Sequence, residues 1–315
     1  SVIRELQGRG IESLVVDPLG MGASARPKGA DYTLSAQAAR MARVLDTELP
    51  AGVSVVVAAQ GTSATIALHL AATDTARVRG VLSMAGGPID KQGTPGVRTA
   101  LTFAALLDNP IGRGFAKRRF VSALRDQSAD DRWLTDDAVK QYVAPIEHDL
   151  RGLLRTLGAM QASVEPYPIA ARLARITAPV RLLVGDKPSG SAPTVAQVSL
   201  LQTHVKRFTL DTVHPAGTML HEERAAEVAR AHRHGKANRV CTQTASARAL
   251  ARRCALRLSR AQPREWVLDI CLDYFSVSNP FRADWFKRAG EADGALLLEA
   301  YCGADVRWRR MEERR

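Results

Sequence analysis

Ser63, His214 and Asp186 are the residue types of a nucleophile, a base and an acid, and Ser63 lies just beyond an apolar run. The stretch Val55-Val56-Val57-Ala58-Ala59-Gln60-Gly61-Thr62-Ser63-Ala64-Thr65-Ile66-Ala67-Leu68 passes from β-branched residues through small ones into an Ala-rich helical segment. A nucleophile elbow is built this way: it reads G-x-S-x-G, with the serine at the tip of a sharp strand-to-helix turn. Here Ala59 and Ser63 occupy the small flanking positions, and the tip between them is Gly61. The position that should carry the chemistry has no side chain. Such a tip strains a residue bearing a Cβ by about 1–3 kcal/mol, and glycine escapes that cost.

Two further segments position this turn. Leu14-Val15-Val16-Asp17-Pro18-Leu19-Gly20-Met21-Gly22-Ala23-Ser24-Ala25-Arg26-Pro27 resembles the strand and D-x-x-G-x-G-x-S-x-x-P turn of the α/β-hydrolase family. Arg77-Val78-Arg79-Gly80-Val81-Leu82-Ser83-Met84-Ala85 resembles the strand that follows its elbow helix. With Gly61 at the tip, the helix between these landmarks keeps its usual length. With Ser63 at the tip, the helix shortens and the strand extends through Gln60 and Gly61.

The resemblance implies two more catalytic positions. An acid should follow a late strand as G-x-x-D. Ala178-Pro179-Val180-Arg181-Leu182-Leu183-Val184-Gly185 is that strand, but the aligned position holds Pro188. Asp186 comes earlier, where it is expected to cap a turn. A histidine should follow a short strand as G-H-x-x-x-E, and Pro215-Ala216-Gly217-Thr218-Met219-Leu220-His221-Glu222-Glu223 puts Thr218 there. His214 and His221 are out of register, and His221 is expected on a solvated face. In a triad the nucleophile attacks, the imidazole moves the proton and the acid fixes the imidazole, and loss of one member removes most of the rate. Gly61, Pro188 and Thr218 are therefore a degenerate triad. The backbone N–H of Thr62 remains as an oxyanion donor with little to stabilise. Ser1-Val2-Ile3-Arg4-Glu5-Leu6 resembles the end of the family's first helix, so its first strands and their oxyanion loop are expected to be missing.

The chain has 315 residues, 46% hydrophobic and 5% aromatic, enough to bury a real core. No run reaches the ~20 apolar residues of a membrane span, so a soluble protein is expected. Cys241, Cys254, Cys271 and Cys302 match no zinc spacing and read as free thiols in a reducing compartment. No cofactor is implied. Of the 44 basic residues, ten fall between Val228 and Arg264 with no acid among them, and the rest of the chain is nearly balanced. Arg248, Arg252, Arg253 and Arg257 lie on a helix-compatible stretch that could contact a polyanion. Nothing in it reads bases.

Residues 91–172 read as a helical insertion. Thr135 is placed to cap a helix before Asp136 and Asp137, and Leu150, Leu153, Leu154 and Leu157 continue a helical stripe. The insertion resembles the helical cap of many α/β-hydrolases, under which a small apolar ligand could be held. In the tail, Trp266-Val267-Leu268-Asp269-Ile270-Cys271-Leu272-Asp273-Tyr274-Phe275-Ser276-Val277-Ser278-Asn279-Pro280-Phe281 resembles a strand of an uncharacterised family with an arginase-like fold. That resemblance makes Asp269 and Asp273 weak candidates for divalent-metal ligands, the alternative being a buried strand.

The fold expected is α/β: a partial α/β-hydrolase with a doubly wound, mostly parallel sheet. Its core comprises residues 1–90 and 173–232, with a helical cap at 91–172, a basic linker at 233–264 and a short α/β tail at 265–315. Two functions stay open. One is a binding or scaffold protein without hydrolase catalysis. The other is an active hydrolase of small esters with a relocated site: Ser63, His214, and Asp186 or Asp90. A chimeric or truncated gene product is also compatible with the sequence.

Overall fold

The apolar β-branched runs become the strands of one parallel sheet, and the helices between them cover both of its faces. The structure is a computed structural model and describes residues 2–93, 95–102, 104–107, 109–187, 192–231 and 265–270. In chain order the first elements are α1 (Val2–Gly8), β1 (Glu12–Val16), α2 (Leu34–Glu48), β2 (Ser54–Gln60), α3 (Ser63–Thr73) and β3 (Val78–Met84). The inserted helices follow: α4 (Pro95–Thr102), α5 (Ala104–Leu107), α6 (Pro110–Asp126), α7 (Asp136–Ala162) and α8 (Ala170–Leu173). Then come β4 (Val180–Gly185), α9 (Val195–His204), β5 (Phe208–Val213), α10 (Leu220–Glu223), α11 (Ala225–Ala231) and β6 (Glu265–Ile270).

The six described strands order as β1-β6-β2-β3-β4-β5, and every pairing is parallel. Alternation along β2 splits the core, as a period of two requires. Val55, Val57 and Ala59 join the larger cluster with Leu45 of α2, Ile66 and Leu70 of α3, and Leu153 and Leu157 of α7. Val56 and Ala58 face the other way, toward Leu6 of α1, Val228 of α11 and Val267 of β6. Because both faces are covered, β2 reads as a continuous apolar run, the usual mark of a buried parallel strand.

Local signals in the insertion work as their chemistry suggests. Thr135 caps α7, its side chain accepting from the Ala138 N–H at 3.3 Å. That helix breaks at Asp149 (φ −153°, ψ 65°), after Pro145, and Asp149 Oδ1 accepts from the Gly152 N–H at 2.9 Å to cap the second half. At the insertion's exit, the Glu165 carboxylate accepts from the Leu34 and Ser35 N–H groups. It therefore sits on the first turn of α2, where free N–H groups favour an anion.

One placement departs from the sequence reading. That reading set residues 265–315 apart as a tail, but residues 265–270 lie inside the sheet, between β1 and β2. Periodicity could identify this segment as a strand, but not which strands it would pair with. The four cysteines, Arg248, Arg252, Arg253, Arg257 and Asp273 lie outside the described residues. Asp269 is described only through its backbone, which pairs with Val15 and Ala58.

Candidate functional site

The turn after β2 has an elbow's geometry. β2 ends at Gln60, Gly61 has φ 56° and α3 begins at Ser63. The Gly61 N–H still donates to the Met84 carbonyl at 2.9 Å, tying the tip to β3. An ideal Cβ on Gly61 would meet nothing within 4 Å, so the tip faces open space. Thr62 follows in ordinary right-handed helical conformation (φ −60°, ψ −29°) as the first residue after the tip.

Ser63, the alternative nucleophile, is fully buried, and its Oγ has no hydrogen-bond partner. It lies at the start of α3, closed off from solvent. His214 and Asp186 do come together: Nδ1 lies 3.1 Å from Oδ2, with the imidazole 65% exposed. Asp186 also accepts from the Ala216 N–H at 2.8 Å. That backbone bond, and then the histidine, hold its carboxyl below the ordinary carboxylate range. The expected turn-capping by Asp186 is thus a link between two loops, those following β4 and β5. Asp90 is elsewhere, its Oδ1 accepting from the Ile169 N–H at 2.6 Å. Of the alternative site, a base and an acid are adjacent, and among the described residues no hydroxyl joins them by a hydrogen bond. Pro188 lies outside the described residues.

Thr218 is buried and fixed from three directions. Its N–H donates to the Gln127 carbonyl at 2.8 Å, and its hydroxyl donates to the same oxygen at 3.2 Å. Its own carbonyl accepts from Gln60 Nε2 at 2.6 Å. Gln60, immediately before the tip, carries the network onward, because its Oε1 lies 3.3 Å from His221 Nδ1. His221 Nε2 is 3.4 Å from the Tyr142 hydroxyl, which donates to Glu222 Oε1 at 3.3 Å. Since Gln60 Oε1 can only accept, His221 carries a proton on Nδ1 whenever this contact is a hydrogen bond.

His221 therefore corrects the sequence reading. Its side chain is only 14% exposed and sits between the elbow and α7, not on a solvated face. The reason is tertiary. Tyr142 packs edge-on against Trp133 with centroids 5.4 Å apart, and the pair clusters with Met219, the residue before α10. Glu223 reinforces the contact by accepting from the backbone N–H groups of Gly217, Ala129 and Asp130. The sequence reading missed Gln60, Tyr142 and Glu223 as site neighbours. Only their approach across more than 70 residues of chain reveals them, as the separations of 79 and 80 between Tyr142 and its partners show.

A cavity of about 390 Å3 lies between the loop after β3 and the end of α7, lined by Asp90, Lys91, Gln161, Glu165 and Tyr167 among others. Its lining mixes the charged and amide side chains with Ala162, Val164, Tyr167 and Pro168. Nearby, His69 is buried in α3 against Tyr167, with ring centroids 6.0 Å apart. Burial holds its imidazole below the usual range, opposed by the charges of Glu165 and Asp90. No group of three or more metal-ligand side chains occurs among the described residues. No helix there is long and apolar enough to cross a membrane.

A sequence profile described as the alpha/beta hydrolase family matches residues 1–231. No curated protein matches the chain. Several solved structures share the fold. Cfl2 from Burkholderia cenocepacia is 20% identical at a TM-score of 0.53, over 70% of this chain and 86% of its own. Est816, described as an N-acyl homoserine lactone degrading enzyme, is 18% identical at 0.53, over 70% and 92%. The enol-lactonase from Burkholderia xenovorans is 17% identical at 0.50, over 71% and 90%.

Proposed function

The chain belongs to the alpha/beta hydrolase family, and we propose that it acts there as a binding or scaffold protein without hydrolase catalysis. One observation carries the proposal. The elbow tip is Gly61, at φ 56°, with open space where a catalytic hydroxyl would project. Thr218, aligned with the family's histidine, supports this: its hydroxyl is engaged by Gln127 and it has no group that could take a proton. The chemistry of acyl transfer needs a nucleophile within reach of a base, and that pair is missing at the aligned positions.

A second reading has one observation in its favour. The His214–Asp186 contact at 3.1 Å is the base-and-orienter half of a triad. An active hydrolase of small esters would use it with Ser63. Against that stands the burial of Ser63, whose Oγ contacts no imidazole.

Both readings meet in one experiment. The full chain is incubated with a fluorophosphonate probe and assayed with short-chain p-nitrophenyl esters. The proposal expects no labelling and no turnover above a heat-denatured control. Stoichiometric labelling at Ser63, lost in Ser63→Ala, would overturn it and establish the relocated site.

A further inference from the structure

Helix α6 buries one face and presents another. Asn109 caps it, accepting from the Gly112 N–H at 3.0 Å, and Pro110 opens its first turn. At about 100° per residue, Ala116, Phe120 and Leu124 fall on one side of such a helix. That side meets the core: Ala116 and Phe120 pack against the main cluster, and Leu124 is buried with Tyr142 and Met219. The opposite side begins with Ile111, 85% exposed, and continues one turn on with Phe115, 57% exposed. Of the large apolar side chains exposed among the described residues, only these two share an element.

Positive charge borders this apolar strip. α6 carries Arg113, Lys117, Arg118, Arg119 and Arg125 against one acid, Asp126. Lys117 is paired with Glu147, and Arg125 lies 3.7 Å from Asp131. Arg118 and Arg119 are exposed, and among the described residues neither forms an ion pair. Measured round the helix from Ile111, Phe115 lies at about 40°, Arg119 at about 80° and Arg118 about 20° the other way. The two guanidinium groups therefore stand on opposite flanks of the strip. A partner that satisfies both flanks at once must present anions on either side of an apolar contact. A bilayer with anionic headgroups does so, and a helix of apolar face and basic flanks lies in such an interface.

We propose that the outer face of α6 docks the protein on an anionic membrane surface, with Ile111 and Phe115 at the headgroup boundary and Arg118 and Arg119 on lipid phosphates. The helix lies on the bilayer and does not cross it. At 17 residues it would contact the surface over about 25 Å. Docking asks nothing of the elbow, so vesicle binding and probe labelling at Ser63 are separate results.

The test sediments the full chain with vesicles of equal parts phosphatidylglycerol and phosphatidylcholine. Salt is set at about 0.15 M, where charges beyond about 8 Å are largely screened. The wild type should bind, and pure phosphatidylcholine vesicles should take up at least tenfold less. One arginine near an anionic surface is worth about fivefold in partition, so Arg118→Gln/Arg119→Gln should weaken binding by about 25-fold. Ile111→Ser/Phe115→Ser should weaken it at least tenfold. All four side chains are exposed, so both variants should keep the wild-type Tm. In Phe115→Trp, lipids with brominated acyl chains should quench the emission added over that of the wild type. Absence of wild-type binding overturns the proposal. Equal binding by the wild type and both double variants also overturns it, and assigns attachment to the basic stretch around Arg252. If wild-type chains instead self-associate through this face, as a loss of dimer in Ile111→Ser/Phe115→Ser without vesicle binding would show, the occupant is a second copy and the lipid assignment is refuted.

Discussion

Replacing Gly61 with alanine tests the elbow directly, because the sign of the effect depends on the backbone there. At φ 56° the residue lies in the left-handed region, where a Cβ crowds the following carbonyl at a cost of about 1–2 kcal/mol. No other penalty adds to this, since the added methyl meets nothing within 4 Å. Had Gly61 continued the strand with ordinary angles, the same change would stabilise by about 0.4–1 kcal/mol through the unfolded chain. The unfolded-chain gain applies to either geometry, so the two differ by the left-handed cost, about 1–2 kcal/mol, which is enough to reverse the sign. Equilibrium urea unfolding followed by circular dichroism should show a lower midpoint for Gly61→Ala at unchanged slope. Gly61→Asn, whose side chain tolerates this region, should lose less than Gly61→Ala. A Gly61→Ala midpoint at or above that of the wild type would refute the elbow frame, and with it the reason for placing the lost nucleophile at residue 61.

Two other outcomes follow from charge. His69 is buried, with its imidazole held below the ordinary 6.5. Below about pH 6.5 the unfolded chain therefore binds a proton that the folded one refuses, so stability is complete above that pH and falls beneath it, at most by about 1.4 kcal/mol per unit. His69→Leu should flatten the fall in Tm between about pH 7 and about pH 5, and parallel wild-type and variant curves would rule His69 out. For the basic stretch, the full chain should be retained on heparin and elute with a steep salt dependence. Reversing Arg252, Arg253 and Arg257 to glutamate should bring elution forward with an unchanged Tm, and equal elution would mark the stretch as a solvated linker.

What could be read from sequence was whatever local chemistry decides. The β2 strand, the turn at Gly61, the cap at Thr135 and the leucines of α7 each follow from neighbouring residues. So do Asp17 and Ser24, whose side chains fold the D-x-x-G-x-G-x-S turn onto itself. What escaped was set by contacts between distant segments. His221 reads as exposed because it adjoins Glu222 and Glu223, but Gln60 and Tyr142, distant in the chain, close over it. His214 with Asp186 or Asp90 was readable as a pair of alternatives, and what decides for Asp186 is two loop ends meeting beyond adjacent parallel strands. A one-dimensional pattern contains neither fact. The partners of β6 were hidden for the same reason, since a parallel strand's neighbours leave no mark on its own alternation.

The position of β6 bears on how the protein is made. Glu12 finds its register partner at Trp266, the longest separation among the described strand pairings. Among the described strands, β6 is the one that joins β1 to β2, and it is the last in the chain. The β1–β6–β2 pairing cannot form until Ile270 has been made. Topologies that depend on such distant pairing fold slowly and expose aggregation-prone edges meanwhile. Yield should therefore fall with faster expression and rise with chaperone supply or lower temperature, whatever the body's final stability.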